Sequence, residues 1–316
     1  MALSKVNPNL ITNGGSRKNW IINGDFQISQ RGAYSSATSI TASPVYYLDR
    51  FRCKHNNISG TIVRQTNQTV NGKVTDTMRL TATAGSNGRV EAVQVIEDEV
   101  FNSQTVTISA WVISNSASAR LIIHQNGANI QTSSNAHTGG GAYELLKATV
   151  TCASNAGQLH IYTGIQAAGT GNVAIANGDY FKMAFLQLEL GSVATDFEHR
   201  SYQEELLLCE WYFKKWLRSD SRLTDSDSRA TYTGIAKAVN EAFFYMPFNM
   251  RVIPTSSYND LAVHDAVCAV INAVGSTAYN AMGSFRIIVT NGLTTGDILY
   301  IRFKSAASFI QFDAEL

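Results

Sequence analysis

Short runs of alternating apolar and polar residues, separated by polar turns, repeat along most of the chain. "TVTISAWVIS" is the clearest. Successive strand residues point to opposite faces, so Val106, Ile108, Ala110 and Val112 form one face and Thr107, Ser109 and Trp111 the other. "NWIINGDFQISQRG", "YYLDRFRCKH", "GTIVRQTNQTV", "DTMRLTATA", "RVEAVQVIED", "RLIIHQNG", "YELLKATVTCAS", "QLHIYTGIQA" and "GDYFKMAFLQLEL" carry the same signal, with Asn-Gly and Gly-rich turns between them. The pattern predicts an all-β N-terminal domain over 19–199, an antiparallel β-sandwich or jelly roll.

One stretch departs from this period. In "RSYQEELLLCEWYFKKWLR" the residues Leu206, Cys209, Phe213 and Trp216 recur at helical spacing. Ser201 followed by Glu204 is a capping box. Glu204 and Glu205 open the segment and Lys214, Lys215 and Arg218 close it, matching the helix dipole. The spacing predicts a helix over 200–218. Leu207, Leu208, Trp211 and Tyr212 widen its apolar surface beyond one stripe, which calls for more than one packing partner.

After a Ser/Asp-rich linker, 219–230, six more strand-like runs over 231–316 predict a second, smaller β-sandwich domain. Residues 1–18 are polar and Asn/Gly-rich and read as an arm without a core of its own.

Composition narrows the function. Of 316 residues 45 % are hydrophobic but only 16 % are charged, so the surface is built largely from neutral polar residues, which suits virion or extracellular β proteins and sugar contact. The net charge is +1 and there is no Lys/Arg block, which argues against nucleic acid as a partner. No apolar run is long enough to span a bilayer. The first residues lack an apolar signal-peptide core, so synthesis in a cytoplasm with release by lysis is expected. Cys53, Cys152, Cys209 and Cys268 are scattered, without the spacing of a disulfide framework or zinc site.

Neither a catalytic constellation nor a cofactor or metal motif is expected. The six histidines (55, 124, 137, 160, 199 and 264) are isolated in sequence, and no GxSxG, Walker, HExxH or EF-hand pattern occurs. The ligand candidates are aromatic. Trp111 shares a polar strand face, and Tyr34, Tyr46, Tyr143 and Tyr162 lie in or beside polar loops. Stacking of a sugar ring on these rings is one reading; packing of Trp111 against the helix or a neighbouring sheet is the other.

Several phrases in fixed order carry a resemblance: Asn23–Phe26 (NGDF), Asp49–Phe51 (DRF), Gln187–Arg200 (QLELGSVATDFEHR) and Cys209–Tyr212 (CEWY), with "YMPFNMRVIPT" at Tyr245–Thr255 and "FDAEL" at Phe312–Leu316. Together they resemble the carbohydrate-binding-module-like jelly roll of bacteriophage tail fibre and receptor-binding proteins. Glu210-Trp211 departs from that pattern. The resemblance implies a first strand opened by Asn23, a homotrimer, docking to other virion tail proteins through the N-terminal arm, and non-catalytic attachment to a host surface glycan. Three copies of the 200–218 helix would then bury Leu206, Cys209, Phe213 and Trp216 against one another. A capsid head fibre or decoration protein and a fibre-borne polysaccharide depolymerase are the alternatives.

Overall fold

The computed structural model describes residues 18–97, 99–217, 229–245, 250–265, 270–279, 284–289, 293–303 and 307–315. Residues 1–17 of the expected arm, most of the linker, Cys268 and part of the "YMPFNMRVIPT" phrase lie outside them. The chain divides into two compact units, one reaching to Leu208 and one from Cys209 to Leu316. The fold is all-β with one helix among the described residues.

The first unit is an antiparallel sandwich. One sheet has the order β1 (Thr38–Ser39), β4 (Gly60–Val70), β5 (Lys73–Ala82), β13 (Tyr180–Leu190), β7 (Thr105–Ser114) and β10 (Tyr143–Thr151). The facing sheet runs β2 (Val45–Leu48), β3 (Phe51–Asn56), β6 (Ser86–Ile96), β11 (Leu159–Ile165), β8 (Ala119–Gln125) and β9 (Ile130–Ser133), with β12 (Val173–Ile175) also beside β6. Alternation decides which side chains meet. Val106, Ile108, Ala110 and Val112 of β7 face Leu121 and Ile123 of β8 and Ile161 of β11 in one fully buried cluster. Each of the Val, Leu and Ile side chains contributes about 1.5–3 kcal/mol by leaving water.

Two expected strands take other forms. Residues 19–28 are an irregular segment rather than a first strand, because Asn23 and Phe26 adopt left-handed φ of 61° and 58°. "YYLDRFRCKH" is a hairpin, β2–β3, turning at Asp49 and Arg50, with Arg50 at φ 70°.

The helix is shorter than its period suggests. It spans Tyr202–Glu210 and is followed by a strand, β14 (Phe213–Leu217). The capping box forms: Ser201 N–H donates to Glu204 Oε2 at 2.9 Å and Glu204 N–H to Ser201 Oγ at 3.3 Å. Past Glu210 the backbone finds better partners within the second unit. Trp211 O accepts from Arg251 N and Tyr212 O from Ala314 N, both at 2.8 Å. Aromatic residues in "WYFKKWL" favour an extended chain over a helix. The helical stripe Leu206, Cys209, Phe213 and Trp216 therefore does not exist as one face. On β14, Phe213 and Trp216 point to opposite sides. Phe213 is 1 % and Cys209 0 % exposed within this one chain. Trp216 meets Phe312 edge-on, with ring centroids 5.4 Å apart, and Leu206 is half-buried.

The second unit begins before the expected boundary at 231, since β14 pairs with β22 (Phe309–Asp313), which also pairs with β17 (Thr255–Asn259). The remaining strands, β15 (Arg229–Ala238), β16 (Glu241–Tyr245), β20 (Ser284–Val289), β19 (Val270–Tyr279), β18 (Leu261–Asp265) and β21 (Ile298–Phe303), close into a barrel in that order. Barrel residues Phe244, Val263, Ile287 and Leu299 share one core with Ile310 and Phe312 of the three-stranded sheet.

Candidate functional site

The residues of the recurring phrases form an internal latch. Asn23 Oδ1 accepts from Ile28 N–H at 2.9 Å, while its Nδ2 donates to Ile28 O and Asp49 O at 2.8 and 3.1 Å. Asp49 accepts from Gln30 through both carboxylate oxygens. Gln187 Oε1 accepts from Glu198 N–H, and Glu189 accepts from the N–H and hydroxyl of Thr195. Glu198 accepts from Asn19 N–H at 2.8 Å. Arg200 bonds Ile21 O at 3.1 Å, Asn19 O, Glu198 Oε2 at 3.2 Å and Glu205 Oε2 at 3.0 Å. Glu205 in turn accepts from Asn23 N–H. This network ties residues 18–30 to β13 and the helix start. Gly24 is required at the seam, since a Cβ there would lie 2.2 Å from Leu186 O.

The latch buries two neighbouring carboxylates, Asp25 and Glu205, 4 % and 7 % exposed. Burial, then the Glu205 charge, pushes Asp25 up to about 6. Both groups are too enclosed to meet a substrate, so the pair holds structure rather than performing acid–base chemistry.

The five candidate aromatic residues fall in three places. Trp111 and Tyr143 lie on the outer face of the first sheet, in a cluster with Val70, Ala184, Phe185 and Phe197. Burial, then Tyr180, raises the Tyr143 hydroxyl to about 12, and Lys182 Nζ stands 6.0 Å from its ring centre. Tyr34 packs on the sandwich core, its ring 5.8 Å from that of Tyr47. Tyr46 and Tyr162 share the outer face of the second sheet. Tyr46 lies opposite Arg52 on β3, Arg52 opposite Val93 on β6, and Val93 opposite Tyr162 on β11.

Half-buried polar groups gather on that second-sheet face. His160 pairs in register with His124, and the rings of His124, His160 and Tyr162 lie 5.6–6.3 Å apart. One step along the strands, Lys54, Glu91, Gly164 and Arg120 form the next row. Glu91 is fully buried and its Oε1 meets Lys54 Nζ and Arg89 Nε, both at 3.2 Å. Arg89 Nη1 also reaches Asn172 Oδ1 at 3.2 Å, and Asn172 Nδ2 reaches Asn56 Oδ1 at 3.1 Å. Gly164 leaves the middle of this row open. A Cβ there would sit 2.2 Å from Val90 O and 2.8 Å from Glu91 Cα, so the backbone approach excludes any side chain. The 167–171 turn borders the face. Its Thr170 Oγ1 donates to Gln131 Oε1 at 3.2 Å and its Gly169 N–H to Ser133 Oγ at 3.3 Å.

Hydrogen-bonding capacity is left over here. Glu91 Oε2, Arg120 Nε, His124 Nδ1 and both amide atoms of Gln166 are buried without a protein partner. Such groups cost roughly 1–3 kcal/mol each unless a polar ligand or solvent completes them. Burial, then Arg52 and His124, lowers His160 to about 4, so its ring is neutral at physiological pH. Burial, then Glu91, raises the Tyr162 hydroxyl, which keeps it a donor. Neutral rings beside a carboxylate and guanidinium groups can stack on a sugar face and bond its hydroxyls.

Sequence reasoning reached Tyr46 and Tyr162 here but not Arg52, Lys54, Glu91, Arg120, His124 or His160. They come from four strands far apart in sequence, and only strand register brings them together. Cys53, Cys152 and Cys209 are buried free thiols. Among the described residues no helix is long and apolar enough to cross a membrane, and no group of three or more His, Cys, Asp or Glu is placed to hold a metal ion.

An all-β protein with an N-terminal two-sheet sandwich is the class that this fold defines. No protein-family model matches the sequence, and no curated protein matches it. Among solved structures it is similar to the carbohydrate-binding module TmCBM61 in complex with β-1,4-galactotriose, at 12 % identity and TM-score 0.35 over 55 % of this chain and 100 % of that one. It is also similar to the CBM22-1 xylan-binding domain from Paenibacillus barcinonensis Xyn10C, at 12 % identity and TM-score 0.30 over 52 % and 99 %. A third is the enzymatically active domain of tailspike protein 4 from bacteriophage CBA120, at 12 % identity and TM-score 0.35 over 55 % of this chain and 21 % of that one. The chain thus spans about a fifth of that tailspike chain's length.

Proposed function

We propose that the N-terminal sandwich binds a glycan, without catalysis, on the outer face of its second sheet. The observation that carries this is the meeting of the half-buried rings of Tyr162 and His160 with the half-buried guanidinium groups of Arg52 and Arg120 on one face. Among the described residues on the strands of this face, Glu91 is the one fully buried carboxylate, pinned by Lys54 and Arg89, whereas glycoside hydrolysis ordinarily uses two. This favours binding over cleavage.

We propose further that the chain is a tail-fibre or tail-tip component of a phage virion that attaches to a host surface as a homotrimer and docks to other tail proteins through its N-terminal arm. The order of the sequence phrases supports this reading. Phe213 and Trp216 lie on a strand, so no helical stripe is there to support self-association. Its support is an apolar row on the barrel exterior, where Ile235, 59 % exposed, lies opposite Ile298, 52 % exposed, and Phe243.

A glycan array probed with the intact chain and with Tyr162→Ala tests the binding reading. Binding lost in Tyr162→Ala but kept in Trp111→Ala is expected. Retention in the first with loss in the second would move the site to the other sheet. Light scattering on the purified chain tests assembly, and a monomeric mass at micromolar concentration would contradict the trimer.

A further inference from the structure

We infer that the glycan taken by this face carries anionic groups, a carboxylated or phosphorylated saccharide rather than a neutral one. The inference rests on the glycan-binding reading and specifies its ligand class.

The charge census of the face is lopsided. Arg52, Lys54, Arg89 and Arg120 stand there against Glu91, whose carboxylate already engages Lys54 and Arg89. Arg52 and Arg120 make no ion pair within the protein among the described residues. The whole chain has a net charge of only +1, so the cations on this face are not a sample of a basic surface. Arg52 is two strands from Tyr162, and Arg120 is on the strand next to it. Neighbouring strands are about 4.8 Å apart, so the guanidinium groups flank the aromatic platform on both sides, within reach of one short oligosaccharide.

The surroundings sharpen the preference. Burial lowers Arg120 below the ordinary arginine range, which means its charge lacks full solvation. A neutral saccharide would replace the lost water only with uncharged hydroxyl acceptors. An anion would replace the lost water with a charge-assisted bond, roughly twice as strong as a neutral one.

Titration of the full chain with polygalacturonate, its fully methyl-esterified form, teichoic acid, β-1,4-galactan and a DNA duplex tests this. Polygalacturonate or teichoic acid should bind on the order of tenfold or more tightly than the neutral polymers, the equivalent of one charged hydrogen bond. Which of the two binds separates carboxylate from phosphate recognition. Binding should weaken as salt rises from about 50 mM to about 500 mM. Arg120→Gln, which removes no ion pair among the described residues, should cost about the same factor for the anionic polymer and little for a neutral one. Esterified polymer or galactan bound as tightly, with no salt dependence and with loss in Tyr162→Ala, would overturn the anionic ligand while leaving glycan binding intact. No binding of any polysaccharide would overturn both. Tighter binding of the duplex at equal salt would replace the glycan with nucleic acid.

Discussion

Asp25→Asn offers a quantitative test of the latch. Asp25 is 4 % exposed, and its Oδ1 is buried without a protein partner, while Oδ2 accepts from Gln27 Nε2. Burial and the Glu205 charge move it from its ordinary 3.8 to about 6. The native state therefore keeps this proton to a higher pH than the unfolded chain does. Stability is lost as pH rises from about 4 to about 6 and stays low above that. At about 1.36 kcal/mol per pH unit, the ionised carboxylate costs about 3 kcal/mol at pH 7. Asparagine keeps the shape and an acceptor but cannot ionise. The variant should be more stable by up to about 3 kcal/mol near pH 7 and no more stable near pH 3. For a unit of this size that is roughly 6–12 °C in melting temperature. Calorimetry of both proteins from pH 3 to 8 measures the difference, and His160, whose lowered pKa weakens the fold as pH falls from 6.5 towards about 4, cancels between them. An advantage that is absent at pH 7, or equal at pH 3 and pH 7, would refute the reasoning.

Other outcomes follow from single sites. Gly164→Ala should cost at least about 3 kcal/mol in urea denaturation, because the new Cβ collides with backbone at Val90 and Glu91. Arg200→Ala should cost about 3–5 kcal/mol by leaving Glu205 buried and uncompensated, and should speed amide exchange across residues 19–28. Phe213→Ala should cost about 3–5 kcal/mol and loosen amide exchange in β22 while leaving the first unit protected, as expected for a residue buried within its own chain.

Period-two alternation made the sandwich legible: the buried faces of β7, β8 and β11 follow directly from "TVTISAWVI", "RLII" and "LHIYTGI". The helix start was legible too, because a capping box is a local signal. Its end was not. "CEWYFKKW" carries a 3–4 spacing that suits a helix, yet the strand edge of β22 competes for the same backbone, and tertiary pairing decided the outcome. The latch shows a similar limit. Asn23 and Arg200 stand far apart in sequence, and nothing in their spacing reveals that they meet at Glu205. The polar face was half visible, since "DRFRCKH" and "RVEAV" place charges at alternate positions, but register alone joins them.

The most direct measurement of the central claim is a residue-resolved map of glycan contact, by chemical-shift perturbation or amide-exchange protection with oligogalacturonate added to the intact chain. Perturbation centred on β3, β6, β11 and β8 around Tyr162, Glu91 and Arg120 is the predicted result. Perturbation centred instead on Trp111 and Tyr143, or confined to the barrel, would contradict it.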